Sequence, residues 1–207
     1  MRLHSAPRSG NSYKVRLLLG LLGTRYEIIN YDTKGGETHA PEFLENVNPD
    51  GKIPVLELED GTMLPESGAI LLYLAEGTPY LPEEKLVRAQ VLRWMFFEQY
   101  SLLPNLSRPR LWRMWEVEIT PQREAELEQF FGQGYRALSV MERHLSDRKF
   151  FVGDRPMVAD VARYDDRSLS CGKEIAVLDV AIMIEGQDGI NWTRWRMAQT
   201  FRDKTLI

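Results

Sequence analysis

A single cysteine, Cys171, stands among the 207 residues. An intrachain disulfide, a paired-cysteine redox motif and a cysteine-based zinc site are thereby excluded. Histidine is nearly as scarce. His4, His39 and His144 are scattered along the chain and show no metal-ligand spacing, so no metal is expected. No apolar run reaches the ~18 residues that a membrane span requires. The opening Met1-Arg2-Leu3-His4-Ser5 has no apolar leader segment. Neither sign of charge dominates, with 26 Lys and Arg against 30 Asp and Glu and a net charge of −4. A pI near 5.5 argues against a nucleic-acid partner. These absences read as a soluble cytoplasmic protein with no metal, membrane or nucleic-acid partner.

What is present is enough for a real core, with 43% apolar residues in 24.0 kDa. That size allows one large domain or two small ones. Over residues 1–77, strand and helix signals alternate. Residues 2–6 and 26–30 read as strands and 12–22 as a Leu-rich helix with Gly23 as its stop. Residues 33–38 read as a loop and 41–46 as one or two helical turns. A hairpin of 55–59 and 62–64 turns at Asp60-Gly61, and a helix over 67–76 ends at Gly77. The expected order is βαβαββα, with a right-handed crossover between the parallel strands.

Residues 78–82 form a Pro-containing linker, and the pattern then changes. Leu86, Ala89, Leu92, Met95, Phe96, Leu103 and Leu106 recur at helical spacing, with a kink or end expected near Pro104 and Pro109. A second helix begins near Pro121, with Leu127, Phe130, Leu138, Met141 and Leu145 on its apolar face. The expected fold is an α/β domain over 1–77 followed by an all-α domain over 83–164.

The stretch 48–73 reads N-P-D-G-K-I-P-V-L-E-L-E-D-G-T-M-L-P-E-S-G-A-I-L-L-Y. Ile53-Pro54 feeds straight into a strand and is a candidate cis bond, since proline lowers the cis penalty to roughly 0.5–1 kcal/mol. A cis bond there would leave the Ile53 backbone free to pair with an extended, peptide-like ligand. The helix beginning at Ser67 offers unpaired N–H groups to a carboxylate, and Glu66 beside it suits an ammonium. Together they fit a short peptide with a free amino acid end. This stretch resembles the thioredoxin-like half of a glutathione S-transferase, and the ligand so implied is glutathione.

The first turn, S-A-P-R-S-G-N-S-Y-K-V-R over residues 5–16, is similar to the first-helix start of bacterial transferases of the theta, delta and nu types. The resemblance implies that Ser9 or Asn11 stabilises the glutathione thiolate, with Ser12 as a neighbour that could serve instead and Tyr13 a weaker candidate. A hydroxyl donor and the positive end of a helix both favour a thiolate. The alternative is that these residues are only a helix N-cap. By the same resemblance Ile53 bonds the cysteinyl backbone of glutathione, and Glu66 and Ser67 hold its γ-glutamyl end. Lys52 pairs with the glycine carboxylate, with His39 a further candidate there.

The family likeness also implies a homodimer and a detoxifying conjugation of glutathione, as co-substrate, to a small electrophile in an open pocket between the domains. Trp112, in a cluster with Arg108, Arg110, Arg113 and Trp115, is a candidate apolar wall for that pocket; the alternative is ordinary core packing or surface cover by aromatics. Glu98-Gln99 either reaches a neighbouring subunit's ligand or forms a solvated helical face. A glutathione-dependent disulfide reductase uses the same site with another acceptor, and a non-catalytic interaction protein is the third reading.

Residues 150–164, F-F-V-G-D-R-P-M-V-A-D-V-A-R-Y, resemble the family's buried helix after the G-D-R-P turn. Met157 stands where the family usually has the Ser or Thr of a capping box, a loss worth about 0.5–2 kcal/mol. Beyond Tyr164 the family pattern stops. Residues 165–207 read as an atypical tail with poor packing expected. Within it, 178–196 weakly resembles the opening strand and loop of luciferase-like flavin monooxygenases, and no flavin is inferred.

Overall fold

A computed structural model describes residues 1–163. The reading of 165–207 as a poorly packed tail, and the likeness at 178–196, lie outside the described residues.

The first half is a thioredoxin-like layer of sheet and helix. Strand β1 (Arg2–Ser5) leads to helix α1 (Gly10–Leu22), β2 (Glu27–Asn30), a 3-10 turn (Glu37–His39) and α2 (Pro41–Asn46). The hairpin β3 (Val55–Glu57) and β4 (Met63–Pro65) and helix α3 (Ser67–Ala75) complete it. Sheet order is β2-β1-β3-β4. Strand β1 runs parallel to β2, with Leu3 opposite Ile28, and antiparallel to β3, with Leu3 opposite Leu56. Local chemistry sets the boundaries. Ser9 caps α1 by accepting the Ser12 N–H, and Gly23 ends that helix at φ 65°, a conformation glycine adopts without steric cost. The helix therefore starts two residues earlier than its apolar pattern suggests.

The second half is helical. Helix α4 (Lys85–Phe97) is capped by Glu84, which accepts from Leu86 N at 2.9 Å and Val87 N at 2.7 Å. It runs into a π-helical turn (Glu98–Leu102) and then α5 (Leu103–Met114), α6 (Pro121–Leu145) and α7 (Val158–Val161). Pro104 follows closely on the π turn, whose last backbone bond runs from the Leu103 N–H to the Glu98 carbonyl. Pro109 lies inside α5 and does not end it, so of the kink or end expected near the prolines the end is not found there. The change of register expected near the prolines comes instead from the π turn, six residues before Pro104.

One apolar cluster ties the halves together. Leu18 of α1 and Leu71 of α3 join Trp94, Leu138, Met141, Phe151 and Val158. A second cluster of Leu3, Val15, Leu19, Leu56 and Ile70 fills the space between sheet and helices. Each such side chain, fully buried, stabilises the fold by roughly 1.5–3 kcal/mol. Helices α5 and α6 pack closely because position 134 is glycine. A Cβ there would meet Leu106 Cδ2 at 3.2 Å and Asn105 Cβ at 3.7 Å. Among the described residues no helix is long and apolar enough to cross a membrane.

Candidate functional site

A cavity of about 340 Å³ opens between the two halves. Its sheet-side wall holds Ser9, Asn11, His39, Lys52 and Ile53 together. Five of the eight residues singled out from the sequence thus share one space. Glu66 and Ser67 line an adjoining cavity of about 270 Å³. Lys14, Glu98 and Ala162 line both, so the two spaces meet there. Ser12 lines neither. It is fully buried, and its hydroxyl has no hydrogen-bond partner.

The positions follow from local structure. Ser9 Oγ accepts the Ser12 N–H at 3.2 Å, which leaves the hydroxyl proton to donate elsewhere. With no acidic residue in its first turn, α1 directs an uncompensated positive end at the cavity. Ile53-Pro54 is cis. The loop before it is braced by Asn48, whose Nδ2 donates to the Lys52 carbonyl at 2.9 Å and whose Oδ1 accepts from Asp50 N at 3.1 Å. Gly51, at φ 65°, allows His39 to lie against the loop, since a Cβ would meet His39 Nε2 at 3.1 Å. Glu66 has φ 71° and ψ 113° immediately before α3. That backbone conformation costs a non-glycine residue of the order of 1–3 kcal/mol and is typical of functional positions.

The helical half supplies an apolar wall of Leu102, Leu103, Leu106, Leu111, Met114 and Trp115, with Arg8 and Arg110 at its edge. Arg110 Nη2 donates to the Arg8 carbonyl at 3.2 Å and so links α5 to the first turn. Trp112 takes the packing role that was the alternative to a wall: it lies edge-on against Phe130 with ring centroids 6.1 Å apart. Trp115, at the end of α5, lines the cavity.

Glu98 departs most from expectation. It does not form the solvated helical face that was one of its two expected roles. It is 3% exposed, and its Oε1 accepts from Lys14 Nζ at 2.8 Å. The same Nζ donates to Asn11 Oδ1 at 2.8 Å. Sequence reasoning missed Lys14 as a site residue altogether. A lysine at the fifth position of an otherwise Leu-rich helix was the available signal.

Behind the cavity, Arg163 is accommodated rather than exposed. Its guanidinium lies 3.6 Å from the Phe151 ring centroid, and Nη2 donates to the Trp94 carbonyl at 2.8 Å. Burial pushes its pKa down to about 10. Burial likewise pushes the Asp160 carboxyl up, against the opposing hydrogen bonds from the backbone of Met157 and Phe151.

Residues 1–76 match the profile of the glutathione S-transferase N-terminal domain, and residues 90–165 that of the C-terminal domain. A glutathione S-transferase-like protein LUC7 of Fusarium sp is 33% identical over 164 residues, covering 77% of this chain and 73% of the relative. Among solved structures, a glutathione S-transferase from Pseudomonas fluorescens Pf-5 is 39% identical, with a TM-score of 0.76 over 98% of this chain and 92% of that one. A maleylacetoacetate isomerase from Methylobacterium extorquens AM1, with bound malonate and GSH, is 28% identical, with a TM-score of 0.68 over 98% and 90%.

Proposed function

The chain belongs to the glutathione S-transferase family, and we propose that it activates the glutathione thiol for attack on a small electrophile. The observation that carries this reading is the cavity shared by Ser9, Asn11, Lys52 and Ile53, beside the space at Glu66 and Ser67, with Lys14, Glu98 and Ala162 lining both. Glutathione laid across it places its γ-glutamyl carboxylate on the N–H groups of α3 and its ammonium on Glu66. The cysteinyl backbone meets Ile53, and the glycine carboxylate meets Lys52 with His39 nearby. The thiol then reaches the first turn of α1.

There the positive helix end and a donated hydrogen bond from Ser9 or Asn11 favour the thiolate. The thiol proton passes to solvent. The sulfur forms a bond to the electrophilic carbon, and the leaving group departs with its electron pair, or the electrons are taken up by a conjugated carbonyl. The apolar wall receives the electrophile. Reduction of a disulfide at the same thiolate is the companion reading, differing only in the acceptor. A second copy of the chain would cover the apolar residues that α3 and α4 leave exposed.

One observation favours an acidic electrophile. Arg8, Arg110 and Lys52 line the cavity, while its one acid, Glu98, is engaged by Lys14. The malonate-bound isomerase relative supports that reading, in which the thiolate adds reversibly to a double bond and the substrate isomerises. Calorimetric titration with glutathione should give saturable one-site heats that Glu66→Ala weakens. Turnover of an aryl halide, a hydroxyethyl disulfide and an unsaturated dicarboxylate then separates the three acceptors. Absence of any glutathione heat in the wild-type protein overturns the proposal.

A further inference from the structure

Lys14 and Glu98 form an ion pair where the two cavities meet, with side chains 5% and 4% exposed. The pair joins α1 to the π turn across 84 positions of sequence. Removing two charges from water costs several kcal/mol per ion, and apolar replacements of similar volume are often neutral or stabilising. Stability alone is therefore a poor reason for the pair. Its third member suggests another. Lys14 Nζ also donates to Asn11 Oδ1 at 2.8 Å, and Asn11 lines the larger cavity. An ammonium is a donor only. Asn11 must therefore give Lys14 its oxygen, and its NH2 group is the end left for the cavity.

We propose that the Lys14–Glu98 pair is a positioning device that locks the Asn11 amide in the one orientation able to donate to a glutathione thiolate. Without the ammonium the amide turns over readily, and an oxygen facing the sulfur opposes the anion. Glu98 fixes Lys14 in place and balances its charge, so the effect reaches the sulfur through Asn11 rather than by direct attraction. The second carboxylate oxygen of Glu98 is held by Gln99 Nε2 at 3.1 Å. The π turn sets Glu98 in that position, in keeping with the frequent use of such turns at functional sites. The other charged groups around this point are Arg163 from beyond α7, Arg8, Arg110, Lys52 and His39 on the wall of the larger cavity, and Glu66 on that of the smaller. The inference rests on the glutathione-thiol reading of the same site.

The test is the pH titration of the bound glutathione thiol, followed by thiolate absorbance, together with the pH profile of kcat/KM. It compares the wild-type chain with Lys14→Met and with the double variant Lys14→Met/Glu98→Leu. The double variant removes both charges and keeps the volume, so it serves if the single variant fails to fold. Each is also made on an Asn11→Ala background. Both Lys14 variants should raise the thiol pKa and lower turnover near neutral pH about tenfold, with activity recovered in alkali. KM for glutathione should stay within about twofold. On the Asn11→Ala background the Lys14 changes should add nothing. A titration identical to wild type makes the pair structural and overturns the proposal. A shift that persists without Asn11 overturns it too, since Lys14 would then act directly. If wild-type protein binds no glutathione, the transferase reading has failed first, and that is seen before any variant is compared.

Discussion

Asp160 Oδ2 accepts the backbone N–H of Met157 at 2.9 Å, and Met157 returns only its own backbone carbonyl, to the Asp160 N–H at 2.8 Å. This is half of a capping box. The other half needs a side-chain oxygen at position 157, where the chain carries a buried methionine packed into the core that joins the two halves. The second carboxylate oxygen holds Phe151 N at 3.0 Å. Completing the box should therefore not help. A restored cap contributes about 1 kcal/mol, whereas burial of methionine contributes roughly 1.5–3 kcal/mol. Met157→Thr should lower stability by about 1 kcal/mol in urea denaturation. Asp160→Ala leaves two buried N–H groups without acceptors and should cost about 3 kcal/mol. A stabilising Met157→Thr would show that the cap, not the core, limits this helix.

Glu66 stores backbone strain next to the ligand. Glu66→Gly relieves a φ of 71° and removes the carboxylate expected to meet an ammonium. Thermal stability should hold or rise, by about 1 kcal/mol, because relief exceeds the entropy that glycine adds to the unfolded chain. Glutathione affinity should fall at least about tenfold, as expected for a lost charge-assisted hydrogen bond. Calorimetry and a melting curve on the same sample check both. Loss of stability together with affinity would mean that the conformation at 66 is not strained.

The sheet carries a separate polar cluster with a pH signature. Glu57 accepts from Arg2 and, at 3.1 Å, from His4 Nε2, while His4 Nδ1 meets the Tyr31 hydroxyl at 2.8 Å. The hydrogen bond from Arg2, and after it that from His4, holds the Glu57 carboxyl below its ordinary value, against an opposing desolvation. A depressed carboxylate stabilises the fold above its unfolded pKa, and that stabilisation fades as pH falls through the folded value. Glu57→Gln should lower the Tm at pH 7, and that deficit should shrink as the pH falls below the ordinary carboxyl range. A deficit that stays constant as the pH falls would contradict the sign.

Phe96 on α4 is 68% exposed and borders the cavity that holds Ser67, beside Ala69 and Leu92. If a second copy covers this face, Phe96→Lys should convert a dimer to a monomer in sedimentation equilibrium. Glutathione binding should then weaken if the neighbouring subunit helps to close the site. A wild-type protein that sediments as a monomer excludes the dimer.

Much of the architecture was readable because it is written in short-range chemistry. Asp60-Gly61, Gly23 and Gly77 each specify backbone locally. The bounds of α2 at Pro41 and Asn46 agree with the sequence reading for that reason. The Ile53-Pro54 and Glu66-Ser67 pairs were legible because proline and a helix start have few alternative meanings. Lys14 with Glu98 was not. Helical periodicity says which face of α4 is apolar, but a π turn resets the face at residue 98, and nothing within a helical turn of either residue signals the other. Nor could the sequence name the packing partner of Trp112, since Phe130 lies in the next helix. Ser12 failed differently. The family likeness named it as a neighbour of Ser9 and Asn11 that could serve instead, but its side chain is turned inward and fully buried.

The central claim is that this site makes a thiolate of bound glutathione, and the most direct measurement is the pKa of that thiol in the wild-type complex. Free thiol titrates near about 8.5. The account predicts a value clearly below that, raised again by Ser9→Ala or by Asn11→Ala with little change in glutathione affinity, and the variant that raises it identifies the donor. Bound glutathione that titrates like free thiol, and is indifferent to both substitutions, would reduce Ser9 to a helix cap and contradict the account.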